Sequence, residues 1–303
     1  MNEGNIPILL VSGKTLPETW EKSLLELWKS GINIPTQYDK PTDPSSRDST
    51  MIMTVENPFE EPRIHKSFPG GLENLEIYRQ EVVEGVHDYW IAPTQGKWTY
   101  TYHQRLFGYK PAWRDDDKEA MTFRCDTEDG TVDAGALNQI EFIINSLAAV
   151  PYSRRSFAIT YMPSYDQNTT EPPCLQRVWC RCCNDADGNL VLNMNTHWRS
   201  RDAFKAAFMN MFALTDLMRY IAEGIQAKIG KPVKIGRYVD ICDSYHIYGS
   251  YFNEFEGFLK SVKDRTFEER VWDSRDEMIQ GSFEDGRGIL QREKETGKIG
   301  MAR

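Results

Sequence analysis

The chain has 303 residues, of which 40% are hydrophobic and 12% aromatic, so it can bury one sizeable core without being divided into separate domains. Its formal net charge of -9 excludes a global positive field for nucleic acid, so an anionic ligand must be met by a local cluster of arginines. This favours a small phosphate ligand over a polymer.

The chain contains no apolar run near the roughly 20 residues that span a bilayer, and its start lacks the features of a signal peptide. We therefore expect no membrane partner, a cytoplasmic location and free thiols. The six cysteines are Cys125, Cys174, Cys180, Cys182, Cys183 and Cys242. No second cysteine or histidine pair stands at zinc spacing from Cys180 and Cys182, so no metal is expected.

The first part of the chain predicts short strands separated by helices. In chain order these elements are a strand at 6–11, a helix at 16–29, a loop at 38–47, a strand at 51–55, a helix at 72–85 and a strand at 98–102. The helices have apolar residues at helical spacing, and the last strand alternates aromatic residues with threonine. Residues 1–70 are treated as a divergent amino-terminal part.

The second part predicts a sheet around a long helix. In chain order its elements are a helix at 137–147, strands at 157–161, 175–183 and 190–198, a helix at 200–229, strands at 238–242 and 246–251, and a helix at 253–262. Ser200 is suited to cap the long helix, and Gly230 to end it. A charged carboxyl-terminal extension, 263–303, predicts surface helices. Together the elements predict one α+β (α/β) domain, a large mixed β-sheet packed by helices around a buried central helix.

The strands at 175–183 and 190–198 are joined by 184–189, a plausible hairpin turn that contains Gly188. Such a hairpin brings Cys174 and Arg199 to the same end of the sheet. A thiol beside a guanidinium is a candidate nucleophile because a neighbouring cation favours the thiolate over the thiol. The alternative is a buried, inert cysteine.

The companions of Cys174 form an ordered set. In chain order they are Ser153-Arg154-Arg155, Pro172-Pro173-Cys174, Arg199-Ser200-Arg201-Asp202, Asn210 and His246-Ile247-Tyr248. From Leu137 to Phe255 this set resembles the thymidylate synthase and pyrimidine nucleotide hydroxymethylase family, and the atypical first half is similar to that of its archaeal-type members. The resemblance implies the thymidylate synthase-like fold.

The resemblance also implies roles for the arginines and the cysteine. Cys174 is the nucleophile, and Arg199 with Ser200 holds the nucleotide phosphate of its own subunit. Arg154 and Arg155 reach across a homodimer interface to the phosphate of the other subunit. Guanidinium groups suit a phosphate dianion because they bind it through paired hydrogen bonds. Without the resemblance, the two adjacent arginines are read as a solvated loop pair.

Three further residues are implied to bind the nucleotide. Asn210 reads the edge of the base and favours uracil, since an amide carries both a donor and an acceptor. His246 and Tyr248 alternate along a predicted strand, face one side and clamp the ribose. The alternatives are an amide bonded to a neighbouring backbone group and a structural aromatic pair.

The remaining candidates concern the folate and the proton steps. Asp202 is implied to hydrogen-bond the pterin, although an acid at a helix start is the plain alternative. Tyr100 is implied to assist proton removal at carbon-5 of the base. Glu81 is the candidate for the glutamate that acts with water on carbonyl-4, and Glu84 competes for that role.

The implied function is transfer of a one-carbon unit from 5,10-methylenetetrahydrofolate, or a related tetrahydropterin, to carbon-5 of a pyrimidine nucleoside monophosphate. Conversion of deoxyuridylate to thymidylate is the first interpretation. The alternatives are a nucleotide hydroxymethylase and an inactive homologue that binds nucleotide or RNA. Three departures from the family pattern bear on the product. Leu175 replaces the histidine that usually follows the nucleophile, and the glutamate-containing Leu-Leu-Trp-Phe motif is absent. Residues 300–303 only loosely match the apolar tail that closes over folate.

Overall fold

A mixed sheet of eight strands forms the centre of the computed structural model, which describes residues 4–95, 97–110 and 136–297. The strands of the described residues are β1 (Ile8–Gly13), β2 (Ile32–Ile34), β3 (Ser46–Val55), β4 (Ile64–His65), β5 (Phe157–Ile159), β6 (Leu175–Asn184), β7 (Leu190–Trp198), β8 (Arg201–Asp202), β9 (Val233–Ile247) and β10 (Val271–Trp272). The helices are α1 (Leu16–Ser30), α2 (Leu72–Glu84), α3 (Tyr102–Phe107), α4 (Gln139–Ala149), α5 (Pro163–Asp166), α6 (Ala207–Ile229), α7 (Phe252–Asp264) and α8 (Glu277–Thr296). Cys125 and residues 300–303 lie outside the described ranges.

The main sheet has the order β1-β3-β9-β7-β6-β5, with β2 paired to β3 and β8 paired to β9. The β1/β3, β7/β9 and β8/β9 pairs are parallel, and the other pairs are antiparallel. Strands β4 and β10 form a separate two-stranded sheet. The predicted large mixed sheet is therefore confirmed.

Helix α6 crosses the sheet and forms the centre of the core. It packs against α2, α4 and β9, and apolar residues such as Phe208 and Leu217 are buried along its length. Burying one such large side chain contributes about 1.5–3 kcal/mol to stability. The predicted long buried helix is therefore correct in its main part. Gly230 caps its carboxyl end, and its φ of 65° lies in the left-handed region that glycine adopts readily.

None of the described helices is long and apolar enough to cross a membrane.

The face of the sheet opposite these helices is uncovered in the described structure. Along β1, Leu9 points into the core while its neighbours Ile8 and Leu10 are exposed. At the other edge, Phe157 and Ile159 of β5 are exposed in the same way. The two edge strands therefore present apolar side chains to solvent.

The predicted start of the long helix is wrong. Residues 201–202 are extended and pair with β9, and the helix begins at Ala207 without a side-chain cap. Ser200 is therefore not the cap. Its backbone is committed to the turn that leads into β8, where strand pairing satisfies the backbone groups that a helix would otherwise use.

The predicted strand at 98–102 is also wrong. Trp98 makes a single bridge to Ile91, and the chain then enters α3. The Thr101 hydroxyl caps this helix by accepting a hydrogen bond from the backbone N–H of Gln104 at 3.0 Å. A threonine in this position favours a helix start over a strand, which the β propensity of the aromatic residues concealed.

Several boundaries shift in the structure. Strand β3 begins at Ser46, inside the predicted loop at 38–47, because its first residues pair with β9. The two strands predicted at 238–242 and 246–251 are parts of the single strand β9 and a short helical turn after it. The predicted surface helix of the charged extension is present as α8.

Candidate active site

The β6–β7 hairpin brings Cys174 and Arg199 together, as predicted. Leu175 pairs with Trp198 in the antiparallel ladder, and the Arg199 N–H donates to the Cys174 carbonyl at 2.9 Å. Because the two residues immediately flank the paired strands, the register of the hairpin fixes their separation.

The Arg199 side chain braces the backbone just before the thiol. Its Nε donates to the Pro173 carbonyl at 3.1 Å and its Nη2 to the Pro172 carbonyl at 2.7 Å. The Cys174 thiol is half-buried, and its Sγ lies 3.9 Å from the Ser200 hydroxyl. The guanidinium therefore holds the backbone before the thiol, and a hydroxyl lies next to the thiol itself.

A cavity of about 600 Å³ is lined in part by Thr169, Thr170 and Glu171, the segment that leads to Cys174, whereas Cys174, Arg199 and Ser200 are not among its lining residues in the described structure. Its walls include Glu81, Tyr100 and Tyr102. Burial and the nearby Cys174 raise the pKa of Tyr100 to about 12. The Tyr102 hydroxyl accepts a hydrogen bond from the backbone N–H of Leu175 at 3.4 Å, which joins the cavity wall to the strand that starts at the nucleophile.

The structure separates the two glutamates that competed for one role. Glu81 faces the cavity, and its Oε1 lies 2.5 Å from Nδ1 of His87. Glu84 is an exposed residue whose carboxylate pairs with Arg79 at 2.9 Å. Glu81 is therefore the candidate that the geometry favours.

Asn210 is buried in α6 and bonded to another helix. Its Nδ2 donates to the hydroxyl of Tyr78 in α2 at 2.6 Å. Burial and the charge of Glu81 raise the pKa of Tyr78 well above its ordinary value, so this phenol stays protonated. The amide is thus bonded to a side chain of the cavity wall, and not to a neighbouring backbone group.

His246 and Tyr248 meet at the end of β9, with ring centroids 4.6 Å apart. The strand stops at Ile247, so Tyr248 lies just beyond it. Burial lowers the pKa of His246, and its Nε2 is buried with no hydrogen-bond partner in the described structure. A buried ring nitrogen without a partner is suited to a polar group of a ligand.

Neighbouring polar groups hold His246 in place. Its Nδ1 lies 3.2 Å from the carbonyl oxygen of Ser244, and the Ser244 hydroxyl donates to Asp48 at 2.6 Å. Burial raises the pKa of Asp48 to about 6.

Asp202 lies between β8 and the turn before α6. Its carboxylate accepts hydrogen bonds from the backbone N–H groups of Phe204 at 3.0 Å and Lys205 at 2.8 Å. Burial raises its pKa to about 6. Burial raises the pKa of Tyr248 to about 12, and the charge of Asp202 adds to this shift.

Arg154 and Arg155 stand apart from the other candidates. Both are exposed in the segment before β5, at the edge of the main sheet. Within the described ranges, neither guanidinium makes a hydrogen bond or ion pair with the cysteine cluster. In the described structure these two arginines are therefore not part of the Cys174, Arg199 and Ser200 cluster of their own chain.

Four residues that the structure places near the candidate site were not identified from the sequence. They are Tyr78, His87, Tyr102 and Glu293. Tyr78 had a sequence signal, because it precedes Glu81 by one helical turn and so shares its face of α2. The contacts of the others depend on tertiary packing between segments far apart in the chain.

Among the described residues no cluster of three or more histidine, cysteine or acidic side chains could hold a metal ion. Cys180 and Cys182 point into the core, and burial raises the pKa of both thiols, that of Cys182 to about 11. They are packing residues.

Comparisons with known proteins identify the family of the chain. The family model described as "Thymidylate synthase" matches residues 77–281. A "Putative thymidylate synthase" of Methanosarcina mazei is 24% identical over 255 residues, which cover 84% of this chain and 95% of that protein. A protein of the same description from Methanocaldococcus jannaschii is 26% identical over 246 residues, covering 80% of this chain and 91% of the relative.

The fold is also found among solved structures. Thermostable thymidylate synthase A from Bacillus subtilis superposes with a TM-score of 0.54 at 15% identity, covering 81% of this chain and 84% of the other. At this identity the likeness shows the fold alone, and the family assignment rests on the match over residues 77–281. The chain belongs to the thymidylate synthase family, as a divergent member.

Proposed function

We propose that this protein transfers a one-carbon unit from 5,10-methylenetetrahydrofolate to carbon-5 of deoxyuridylate, giving thymidylate. The observation that carries the proposal is the half-buried Cys174 thiol, which follows a backbone segment that is braced by Arg199 and that, at Glu171, lines a cavity together with Glu81 and Tyr100. A cavity of about 600 Å³ lies within the range of roughly 300–1,000 Å³ typical of small-molecule sites.

In the proposed reaction the Cys174 thiolate adds to carbon-6 of the pyrimidine, which makes carbon-5 nucleophilic. Bound methylenetetrahydrofolate supplies the methylene group and then a hydride, so that it leaves as dihydrofolate. Tyr100 assists removal of the proton from carbon-5, and Glu81 acts at carbonyl-4. Departure of the thiolate from carbon-6 completes the turnover and restores the enzyme.

The nucleotide has a set of matching groups in the described structure. The Nη1 group of Arg199 makes no hydrogen bond among the described residues and, with the Ser200 hydroxyl, is proposed to hold the phosphate. The unpartnered Nε2 of His246, with the Tyr248 hydroxyl, is proposed to bind the ribose. Asn210 is proposed to read the base. The half-buried carboxylate of Asp202 is proposed to bind the pterin, because a carboxylate can accept hydrogen bonds from the N–H groups of that ring.

We further propose that the active form is a homodimer. The uncovered sheet face carries exposed apolar residues at both edges, among them Leu10 and Phe157, and a second copy would bury them. Arg154 and Arg155 are exposed beside β5 and are proposed to bind the phosphate of the partner subunit. This would explain why they have no contact with the cysteine cluster of their own chain.

We also propose that residues 1–303 form one catalytic domain and that the protein works in the cytoplasm. A single buried cluster runs from Leu9 to Phe283, which supports one domain. The net charge of -9 provides no global positive field for nucleic acid. Local arginines can still bind a small anionic substrate.

Formation of a 5-hydroxymethyl nucleotide is the second candidate function. The cavity wall includes the hydroxyl-bearing residues Thr99, Thr169 and Thr170, which can hold water near the reacting carbon. Leu175 also replaces a histidine of the family pattern beside the nucleophile. Water that captures the exocyclic methylene would give the hydroxymethyl product and regenerate tetrahydrofolate.

Mass spectrometry of the product tests both candidates. The protein and its Cys174→Ala variant are incubated with methylenetetrahydrofolate and a mixture of deoxyuridylate, deoxycytidylate, uridylate and cytidylate. The proposal is supported if deoxyuridylate gains one CH₂ unit with the wild-type protein and not with Cys174→Ala. A gain of one formaldehyde unit would establish the second candidate, and no change in any nucleotide would favour an inactive binder.

A further inference from the structure

A buried polar cluster links Glu81 to the carboxyl-terminal helix. The imidazole of His87 is 3% exposed and stacks on Trp90 with ring centroids 3.6 Å apart. Its Nδ1 lies 2.5 Å from Glu81 Oε1, and its Nε2 lies 3.3 Å from Glu293 Oε2. One imidazole therefore bridges the carboxylate at the cavity wall and a carboxylate of α8.

Glu293 is itself held on several sides. It is 4% exposed, and its Oε1 accepts hydrogen bonds from Trp90 Nε1 at 3.1 Å and from the Tyr89 hydroxyl. Both carboxylate oxygens thus have partners from the segment just after α2. This fixes the orientation of the carboxylate that faces His87.

The backbone that carries the cluster is closely packed. Helix α2 ends at Gly85, whose φ of 65° turns the chain so that His87 comes back to Glu81. Helix α8 lies against α2 so closely that a Cβ at Gly286 would be 2.8 Å from the Glu73 carbonyl oxygen. Movement of α8 would therefore be transmitted to the cluster.

Buried titratable side chains are costly to retain unless each has a partner, and in this cluster His87 and Glu293 are buried while Glu81 is half-buried. A purely structural anchor for α8 has no need to end at the cavity. This cluster does end there: Glu81 lines the cavity, and its Oε2 makes no hydrogen bond within the described ranges. One oxygen of Glu81 is thus held from behind, while the other is left for the cavity.

We propose that His87 and Glu293 are positioning residues that fix the Glu81 carboxylate toward the cavity, so that α8 forms part of the catalytic apparatus. This inference rests on the proposed function and extends it to the carboxyl-terminal helix. Neither residue contacts the reacting atoms. Each acts through Glu81.

The first test compares steady-state kinetics of the wild-type protein, Glu293→Gln and Glu295→Gln. Glu295 is an exposed residue of the same helix, so its variant is a matched control. Because a misplaced catalytic group costs up to about 100-fold in rate, we expect Glu293→Gln to lower kcat by about 10- to 100-fold, with the nucleotide KM changed less than about threefold. The control should keep wild-type values. A Glu293→Gln protein with a lower Tm and an unchanged kcat would reduce the cluster to an anchor and overturn the proposal.

The second test follows His87 directly through the ring-nitrogen NMR signals of the protein, which has five histidines. His87→Gln assigns the signals. We expect deoxyuridylate to shift them in the wild-type protein but not in Glu81→Gln. Unchanged His87 signals on addition of nucleotide would overturn the proposal. If the wild-type protein shows no turnover, the proposed function fails, and the response of His87 to nucleotide still decides whether the cluster is coupled to the site.

Discussion

The hydrogen bond between Tyr78 and Asn210 predicts how the protein selects its base. Asn210 is 8% exposed, and its Nδ2 donates to the Tyr78 hydroxyl at 2.6 Å. Burial and the nearby charge of Glu81 raise the pKa of the same phenol, which therefore stays protonated. The phenol oxygen then accepts from the amide, which leaves Oδ1 of Asn210 to accept the N3–H of uracil. Cytosine has an acceptor at that position.

Tyr78→Phe removes the group that holds the amide in this orientation. One buried hydrogen bond is at stake, and leaving its donor unsatisfied costs about 1–3 kcal/mol. Since about 1.4 kcal/mol is tenfold in an equilibrium constant, we expect the preference for deoxyuridylate over deoxycytidylate to fall about tenfold. The free energy of unfolding should fall by about 1–2 kcal/mol.

The assay is a competition between the two nucleotides, read as the ratio of their kcat/KM values by mass spectrometry. Tyr220→Phe is the control, because Tyr220 is an exposed residue of α6 and loses the same hydroxyl. A Tyr78→Phe protein with the same base preference as the wild type and the control would refute the reasoning. Urea denaturation of all three proteins measures the change in stability separately.

Three further predictions concern the folate site, the ribose site and a buried ion pair. Because burial raises the pKa of Asp202 to about 6, its carboxylate fraction falls as pH drops through 6, and we expect the folate KM to rise about tenfold from pH 7 to pH 5. Asp202→Asn should have a folate KM that is flat over this range. His246→Gln removes the unpartnered Nε2, so the KM for deoxyuridylate should rise about tenfold with little change in kcat, as measured by steady-state kinetics. Glu21→Ala leaves the buried Arg270 unpaired and should lower the free energy of unfolding by about 3–5 kcal/mol in urea, whereas Glu18→Ala, which breaks a more exposed pair, should cost about 0.2–1 kcal/mol.

The parts of the site that follow from local chain geometry could be predicted from the sequence. The β6–β7 hairpin is one such part, because adjacent strands joined by a short turn must place their outer ends together. That fact alone brings Cys174 to Arg199. Helix spacing likewise places Glu81 and Tyr78 on one face of α2, although the sequence could not say that Tyr78 bonds to Asn210.

The rest depends on contacts between distant segments. Aromatic and threonine residues at 98–102 have high β propensity, yet within the described ranges only Trp98 forms a bridge, to Ile91, and Thr101 caps a helix instead. Ser200 resembles a helix cap, but pairing of β8 with β9 delays the helix until Ala207. The contact of His87 with Glu293 joins residues 206 positions apart, which no periodicity predicts.

The central claim is that Cys174 is the nucleophile, and trapping its adduct tests this most directly. The reaction requires carbon-5 of the base to lose its proton. Deoxyuridylate with fluorine at carbon-5 has no proton there, and fluorine cannot leave in its place. The covalent complex with methylenetetrahydrofolate should therefore accumulate. Peptide mass spectrometry then locates the added mass. We predict that it lies on Cys174 and is absent from the exposed Cys183. Addition at another cysteine, or no addition in the presence of both substrates, would contradict the account.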